Sequence, residues 1–316
     1  MTETVYNELL DEAEYFKENN EPEKAEVVYL NILEVFPEDS AVHFLLGDLY
    51  YAQRAYKRAV EHYLKVVHNV QNDDRDLAYA MLGICYMNLA ETVEEIGHTE
   101  YEEKAINCYK EAIKINPSMA DDKLLFDLGL AYVYTQQWDS AIDAFEKAVE
   151  QNNTLAQAYS YLGSLYAEKG DKAQAVIYFL AAIENDQNNS YYYQLLGQVY
   201  GTLKQYDKAI EVYKQSVTLN DTMSDAFSGL ADAYNHKGML EQAIEYAHRA
   251  LDINVEDAYA FRTLGESYAL KHETEKAEKY FEFAQGIESL SELEDGIETE
   301  SQVPENLRRT RYDRVI

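Results

Sequence analysis

The chain has 316 residues, 47% of them hydrophobic and only 13 glycine and 4 proline, so it can bury a substantial core and is neither collagen-like nor low in complexity. Acidic residues outnumber basic ones 58 to 27, and a formal charge of -31 repels phosphate groups, which argues against a nucleic-acid partner and an anionic membrane surface. Two cysteines cannot build a disulfide framework, and no apolar run approaches the roughly 18 residues a membrane span needs, so no membrane insertion is expected.

The first residues, Met1 to Glu8, carry neither a basic n-region nor an apolar h-region, so a cytoplasmic protein is expected. From there the chain divides into copies of one pattern. Residues 6–39 hold Glu12-Ala13, Phe16, Ala25, Tyr29, Ile32 and Pro37. Residues 40–73 hold Leu46-Gly47, Tyr50, Ala59, Tyr63 and Val66; residues 76–119 hold Leu82-Gly83, Tyr86, Ala105, Tyr109 and Ala112. The order returns in 122–155 as Leu128-Gly129, Tyr132, Ala141, Phe145 and Ala148, and in 156–189 as Leu162-Gly163, Tyr166, Ala175, Phe179 and Ala182. Residues 190–223 give Leu196-Gly197, Tyr200, Ala209, Tyr213 and Ser216; 224–257 give Leu230-Ala231 and Tyr234, with Ala247 in the aromatic place; 258–291 give Leu264-Gly265, Tyr268, Ala277, Phe281 and Ala284. From Gly129 onward the small residue recurs every 34 residues.

An alanine followed by an aromatic four residues on and a small residue three beyond that is a helical stripe, so each copy is two helices. Glycine inside a helix costs about 1 kcal/mol against alanine, which close packing must offset. Gly170 and Gly238 fall between the paired helices, where a left-handed cap is needed. The Leu-Gly, Tyr, Ala, aromatic and Ala positions, with Pro37 and Pro117 at the final position, resemble the tetratricopeptide repeat, a helix–turn–helix unit. That resemblance implies an all-α fold, a right-handed superhelical solenoid of eight helix pairs over residues 1–299.

Three departures stand out. Repeat one has Glu12-Ala13 for Leu-Gly, as an exposed end of a stack would. Repeat three has ten extra residues around Asn88 to Lys104, expected to lengthen both its helices, either as tolerated drift or as a partner contact. Beyond repeat eight, Leu290, Leu293 and Ile297 form a short apolar stripe, read as a capping helix over about 288–299. A flexible tail, 300–316, follows. It holds Arg308, Arg309, Arg311 and Arg314, either a motif for an acidic partner, a segment that docks on the acidic body or a frayed end.

No catalytic residue is assigned: no phosphate-binding glycine loop, nucleophile elbow or metalloprotease motif occurs, and no cofactor or metal is implied. The histidines at 43, 62, 68, 98, 236, 248 and 272 are scattered, with His43 read as a core residue; Cys85 and Cys108 are read as small packing residues. No enzyme is expected.

In arrays of the family that the sequence resembles, positions two, five, nine and twelve of each first helix line a concave groove. In repeats two to four these are Ala41, Phe44, Asp48, Tyr51, Leu77, Ala80, Ile84, Met87, Lys123, Phe126, Leu130 and Val133. Ten of the twelve are apolar, which predicts an open apolar channel for a partner, unless the chain's own tail, a second copy or the curvature of the surface covers it. In repeats five to eight the set turns polar: Gln157, Ser160, Ser164, Tyr191, Gln194, Gln198, Asp225, Ser228, Asp232, Asn235, Tyr259, Arg262 and Glu266. Amides and hydroxyls there would bond a peptide backbone. No lysine stands at position five and no asparagine at position nine, so the co-chaperone carboxylate clamp and the asparagine ladder of sugar-transferring relatives are disfavoured. The expected function is a non-enzymatic adaptor or scaffold that binds a protein partner by a peptide or helix segment in this groove. The alternative is a structural self-assembler, a homo-oligomer or a scaffold subunit of a larger complex.

Overall fold

The four-then-three spacing becomes one buried helix face in repeat after repeat. The structure, a computed structural model, describes residues 1–69, 71–92 and 99–295, and their side chains except those of 99 and 290–295. Among the described residues the chain is all-α, an α-solenoid type without strands. The first helices of the repeats are α1 (Glu3–Glu18), α3 (Ser40–Ala52), α5 (Arg75–Thr92), α7 (Asp122–Tyr134), α9 (Ala156–Glu168), α11 (Ser190–Thr202), α13 (Ser224–His236) and α15 (Ala258–Leu270). The second helices are α2 (Pro22–Val35), α4 (Tyr56–His68), α6 (Thr99–Ile115), α8 (Trp138–Gln151), α10 (Lys172–Asn185), α12 (Tyr206–Leu219), α14 (Leu240–Ile253) and α16 (Thr274–Asp295). A 3-10 turn, Pro117–Met119, leads into α7. No helix of the described residues is long and apolar enough to cross a membrane.

Most first helices are capped at their start and then broken by a turn. Thr2, Asp39, Asp121, Asp171, Asn189 and Asp257 accept backbone N–H groups at helix starts, satisfying donors the helix itself cannot. The turn into the second helix needs one residue with positive φ. Gly170 (+83°) and Gly238 (+73°) supply it without strain, while Asn20, Arg54, Gln136, Lys204 and His272 adopt it near +60°.

The chain forms two compact units, Met1–Ala144 and Phe145 onward, with the boundary inside α8. In the first unit α1 packs on α2, α3 on α4 and α5 on α6, and each pair packs on the next. The small residue of the Leu-Gly pair is where the second helix's aromatic ring lies: a Cβ on Gly47 would stand 2.5 Å from Tyr63 Cε1. Tyr63 and Tyr109 are sealed in this way, Tyr29 is buried as well, and Tyr50 reaches back to donate to Glu26 Oε1 of α2 at 2.8 Å. His43 and His62, 19 residues apart on α3 and α4, meet at 3.0 Å between their Nδ1 atoms. His43 Nε2 lies 2.9 Å from the Pro37 carbonyl, which can only accept, so Nε2 donates and Nδ1 accepts from His62.

The second unit repeats the scheme from α9 to α16, with α9 on α10, α11 on α12, α13 on α14 and α15 on α16. Phe179 lies on Gly163, Tyr213 on Gly197 and Phe281 on Gly265. Here Tyr166 and Tyr178 both donate to Glu146 Oε1, at 2.9 and 3.1 Å. The last helix runs unbroken from Thr274 to Asp295, so the residues from 288 expected to begin a separate cap continue α16. Lengthening occurs in repeat three as well, where α5 reaches Thr92 and α6 starts at Thr99. The rest of that insertion, 93–98, residues 296–299 and the tail with its arginines lie outside the described residues.

Candidate functional site

In the first unit the expected apolar channel is largely closed. Phe126, Leu130 and Val133 on α7 are buried, the last two with 1% and 0% exposure. Ala80 and Met87 on α5 are buried as well. α5 approaches α7 directly, and α6 packs against it. Phe44, Asp48, Tyr51 and Ile84 are half-buried, and Leu77 and Lys123 are exposed. Phe44 lies edge-on to Tyr63 with centroids 5.5 Å apart, and Tyr51 packs on Tyr56. Asp48 accepts from the Tyr63 hydroxyl at 2.6 Å, and burial holds its carboxyl above the usual carboxylate range despite that bond and nearby Lys17. What remains is separate apolar side chains, without a continuous open surface.

In the second unit the polar set is also partly spent on itself. Gln194 is buried and donates from Nε2 to Asp225 Oδ2 at 3.2 Å, linking α11 to α13. Asn235, buried, accepts from Ser267 Oγ at 2.9 Å and donates to Glu266 Oε2 at 3.0 Å, linking α13 to α15. Ser228 is buried and donates to Asp257 Oδ2, as does Ser224 Oγ at 2.7 Å, while Asp257 Oδ1 caps α15 at Ala260 N. Arg262 is exposed and pairs with Glu288 of α16. Ser160 and Ser164 are buried, and Ser164 Oγ finds no partner among the described residues. Gln157 and Tyr191 are half-buried, whereas Gln198 is exposed. So Gln194, Ser228 and Asn235 serve mainly as ties between neighbouring first helices.

One cavity does open on this face, about 480 Å³, between α11, α12, α13 and α15. Its wall includes the expected groove residues Gln198, Asp225, Ser228, Asp232 and Tyr259, and adds Thr202, Tyr213, Gly229 and Asp257. No lysine, arginine or histidine lines it. Tyr259, 42% exposed, borders the cavity with Asp232, and burial followed by the Asp232 charge raises its phenol's pKa. On the same carboxylate, Oδ1 lies 3.5 Å from His236 Nε2, one helical turn on.

Tyr213 is the residue that position counting along first helices missed, since it belongs to α12. It is only 4% exposed, and its ring passes between two backbones. A Cβ on Gly197 would stand 2.6 Å from Tyr213 Cε1, and one on Gly229 would stand 2.5 Å from the hydroxyl oxygen. That hydroxyl has no hydrogen-bond partner among the described residues. Burial, then the charges of Asp232 and Asp225, push its pKa up, so it keeps its proton. The signal was present in the sequence: where Asp48 stands in repeat two to accept from Tyr63, repeat six has Gln198.

Among the described residues no three His, Cys, Asp or Glu side chains gather as metal ligands would. Cys85 and Cys108 are both free thiols, and burial pushes each up to about 12.

Known proteins place the chain as follows. The tetratricopeptide repeat pattern matches residues 10–74 and 126–190 in one form and 97–119, 190–222 and 224–255 in another, more than half of the sequence together. Similar solved structures include the C-terminal part of a TPR repeat-containing protein from Cytophaga hutchinsonii, 18% identical over 84% of this chain and 100% of that one, with a TM-score of 0.63. Another is pilF of Pseudomonas aeruginosa, 18% identical over 66% and 89% of the two chains, TM-score 0.52. A third is MamA, residues 41 to the end, from Desulfovibrio magneticus, 21% identical over 53% and 95%, TM-score 0.50. At these identities they show the fold. No curated protein matches the chain.

Proposed function

Because this chain belongs to the tetratricopeptide repeat family, we propose that it is a non-enzymatic scaffold that holds an extended segment of a partner protein on the first-helix face of its second unit. The observation that carries the reading is the contrast between α7, where Phe126, Leu130 and Val133 are sealed, and α11 to α15, where Gln198, Asp225, Asp232 and Tyr259 border an open cavity. An extended segment suits this site because the wall offers amide, hydroxyl and carboxylate groups side by side, where a helix would satisfy its own backbone and need an apolar face.

A photo-crosslinking amino acid in place of Gln198 tests this. It should capture protein partners in native extract, while the same amino acid in place of Ile177, exposed on α10, should not. Adducts from position 177 alone, or equally from both, would remove the site.

A further inference from the structure

The cavity of the second unit is acidic and contains an unanswered hydroxyl, and the two together define a guest. Of its three aspartates, Asp257 is consumed by the α15 cap and by Ser224 and Ser228. Asp225, which also accepts from Gln194, and Asp232, which lies beside His236, are the other charged part of the wall, two turns apart on α13, with no lysine, arginine or histidine among the lining residues. The Tyr213 hydroxyl reaches the same space through the gap above Gly229, without a partner among the described residues although the side chain is 4% exposed. In repeat two the equivalent hydroxyl, that of Tyr63, is taken by Asp48, and repeat six has Gln198 in that place.

We infer that this cavity is a receptor for one arginine side chain of an extended partner segment, with the guanidinium held by Asp225 and Asp232 and by the phenol oxygen of Tyr213. A guanidinium is planar and carries five N–H donors, so it serves carboxylates and a phenol oxygen at once, whereas a lysine ammonium is a compact, strongly hydrated point charge with three. The exposed ring of Tyr259, on the cavity wall with Asp232, supplies an aromatic face on which the guanidinium stacks. Tyr213, still protonated, turns its own hydrogen toward a carbonyl of the guest backbone. The inference deepens the scaffold reading and rests on it: the face is that of the proposed function, and the new content is the chemistry of what it takes.

The test uses the full chain and random dodecapeptides displayed on phage. The tightest selected peptide is synthesised with each arginine in turn replaced by citrulline, which keeps the shape and loses the charge. Replacing one particular arginine should weaken binding tenfold or more in the wild type. The same replacement should matter less than twofold in the Asp225→Asn/Asp232→Asn variant, and Tyr213→Phe should reduce the wild-type effect without altering the thermal melt. Peptides whose affinity is indifferent to citrulline, or a citrulline effect undiminished in the aspartate variant, would overturn the arginine assignment. With crosslinks from position 198 intact, such a failure leaves the groove in place, whereas loss of those crosslinks removes the groove itself. Cutting the chain after Thr299 provides a last arm. Unchanged peptide affinity is expected, and a tenfold gain would mean that the chain's own arginine-containing tail fills the cavity and would overturn the assignment to a partner.

Discussion

Tyr63 in the first unit and Tyr213 in the second occupy the same repeat position and pack on the same kind of glycine, yet they end differently. Tyr63 passes over Gly47 and its hydroxyl donates to Asp48 at 2.6 Å, closing the groove side of repeat two. Tyr213 passes over Gly197, meets Gly229 instead of a side chain, and stops at a cavity with its hydroxyl unanswered. Two exchanges, Asp48 against Gln198 at position nine and Met81 against Gly229 at position six of the following repeat, accompany the difference between a finished core and an open site. The repeat scaffold is therefore a constant, and a binding place arises where one of its internal bonds is left out.

The shared part of this comparison gives the largest effect. Gly47→Val and Gly197→Val each drive a side chain into a sealed tyrosine ring, and each should destabilise by about 3 kcal/mol, read as urea midpoints. A cost at only one position would mean that the two tyrosines are not equivalently packed. Next comes the part that differs. Tyr63→Phe strips a half-buried carboxylate of its donor and should cost about 1–3 kcal/mol, whereas Tyr213→Phe, which breaks no bond among the described residues, should change stability by less than about 0.5 kcal/mol. Equal losses would show that Tyr213 already has a partner within the chain.

A smaller effect, confined to the first unit, comes from its histidine pair. Burial and then the neighbouring His43 lower the His62 pKa from its usual 6.5 to about 4, and burial lowers that of His43 as well. The unfolded chain therefore binds more protons than the folded one between about pH 4 and 6.5. The stability contributed by the neutral pair is complete above that window and is lost as pH falls through it. The urea midpoint of the wild type should drop more between pH 7 and pH 4.5 than that of His62→Gln, and parallel curves would dissolve the pair. Smallest of all is Lys204→Gly. Lys204 holds a φ of +58° where Gly170 and Gly238 stand in other repeats, so glycine should raise stability by about 0.5–1 kcal/mol.

The fold could be read from the sequence because the small and aromatic residues that pair helices recur in phase, and each such pair is a local constraint: Gly47 with Tyr63, Gly163 with Phe179, Gly265 with Phe281. The left-handed turns at Gly170 and Gly238 were legible for the same reason. The groove was not, because a helical wheel gives the direction of a side chain and not the distance to the next first helix. Phe126, Leu130 and Val133 point where expected and are covered by neighbours whose approach depends on side chains elsewhere. Asn235 and Gln194 likewise look free on a wheel and are tied across to α15 and α13. His43 and His62 escaped because their meeting depends on how α3 packs on α4, which a search for histidines one helical turn apart does not test.

The most direct test of the central claim is a residue-by-residue NMR map of the full chain titrated with the tightest arginine-containing dodecapeptide. The account predicts that the amides of Gln198, Asp225, Ser228, Asp232 and Tyr259 shift while those of Phe44, Ile84 and Phe126 stay in place. Shifts centred on α3, α5 and α7, with α11 to α15 unmoved, would contradict it.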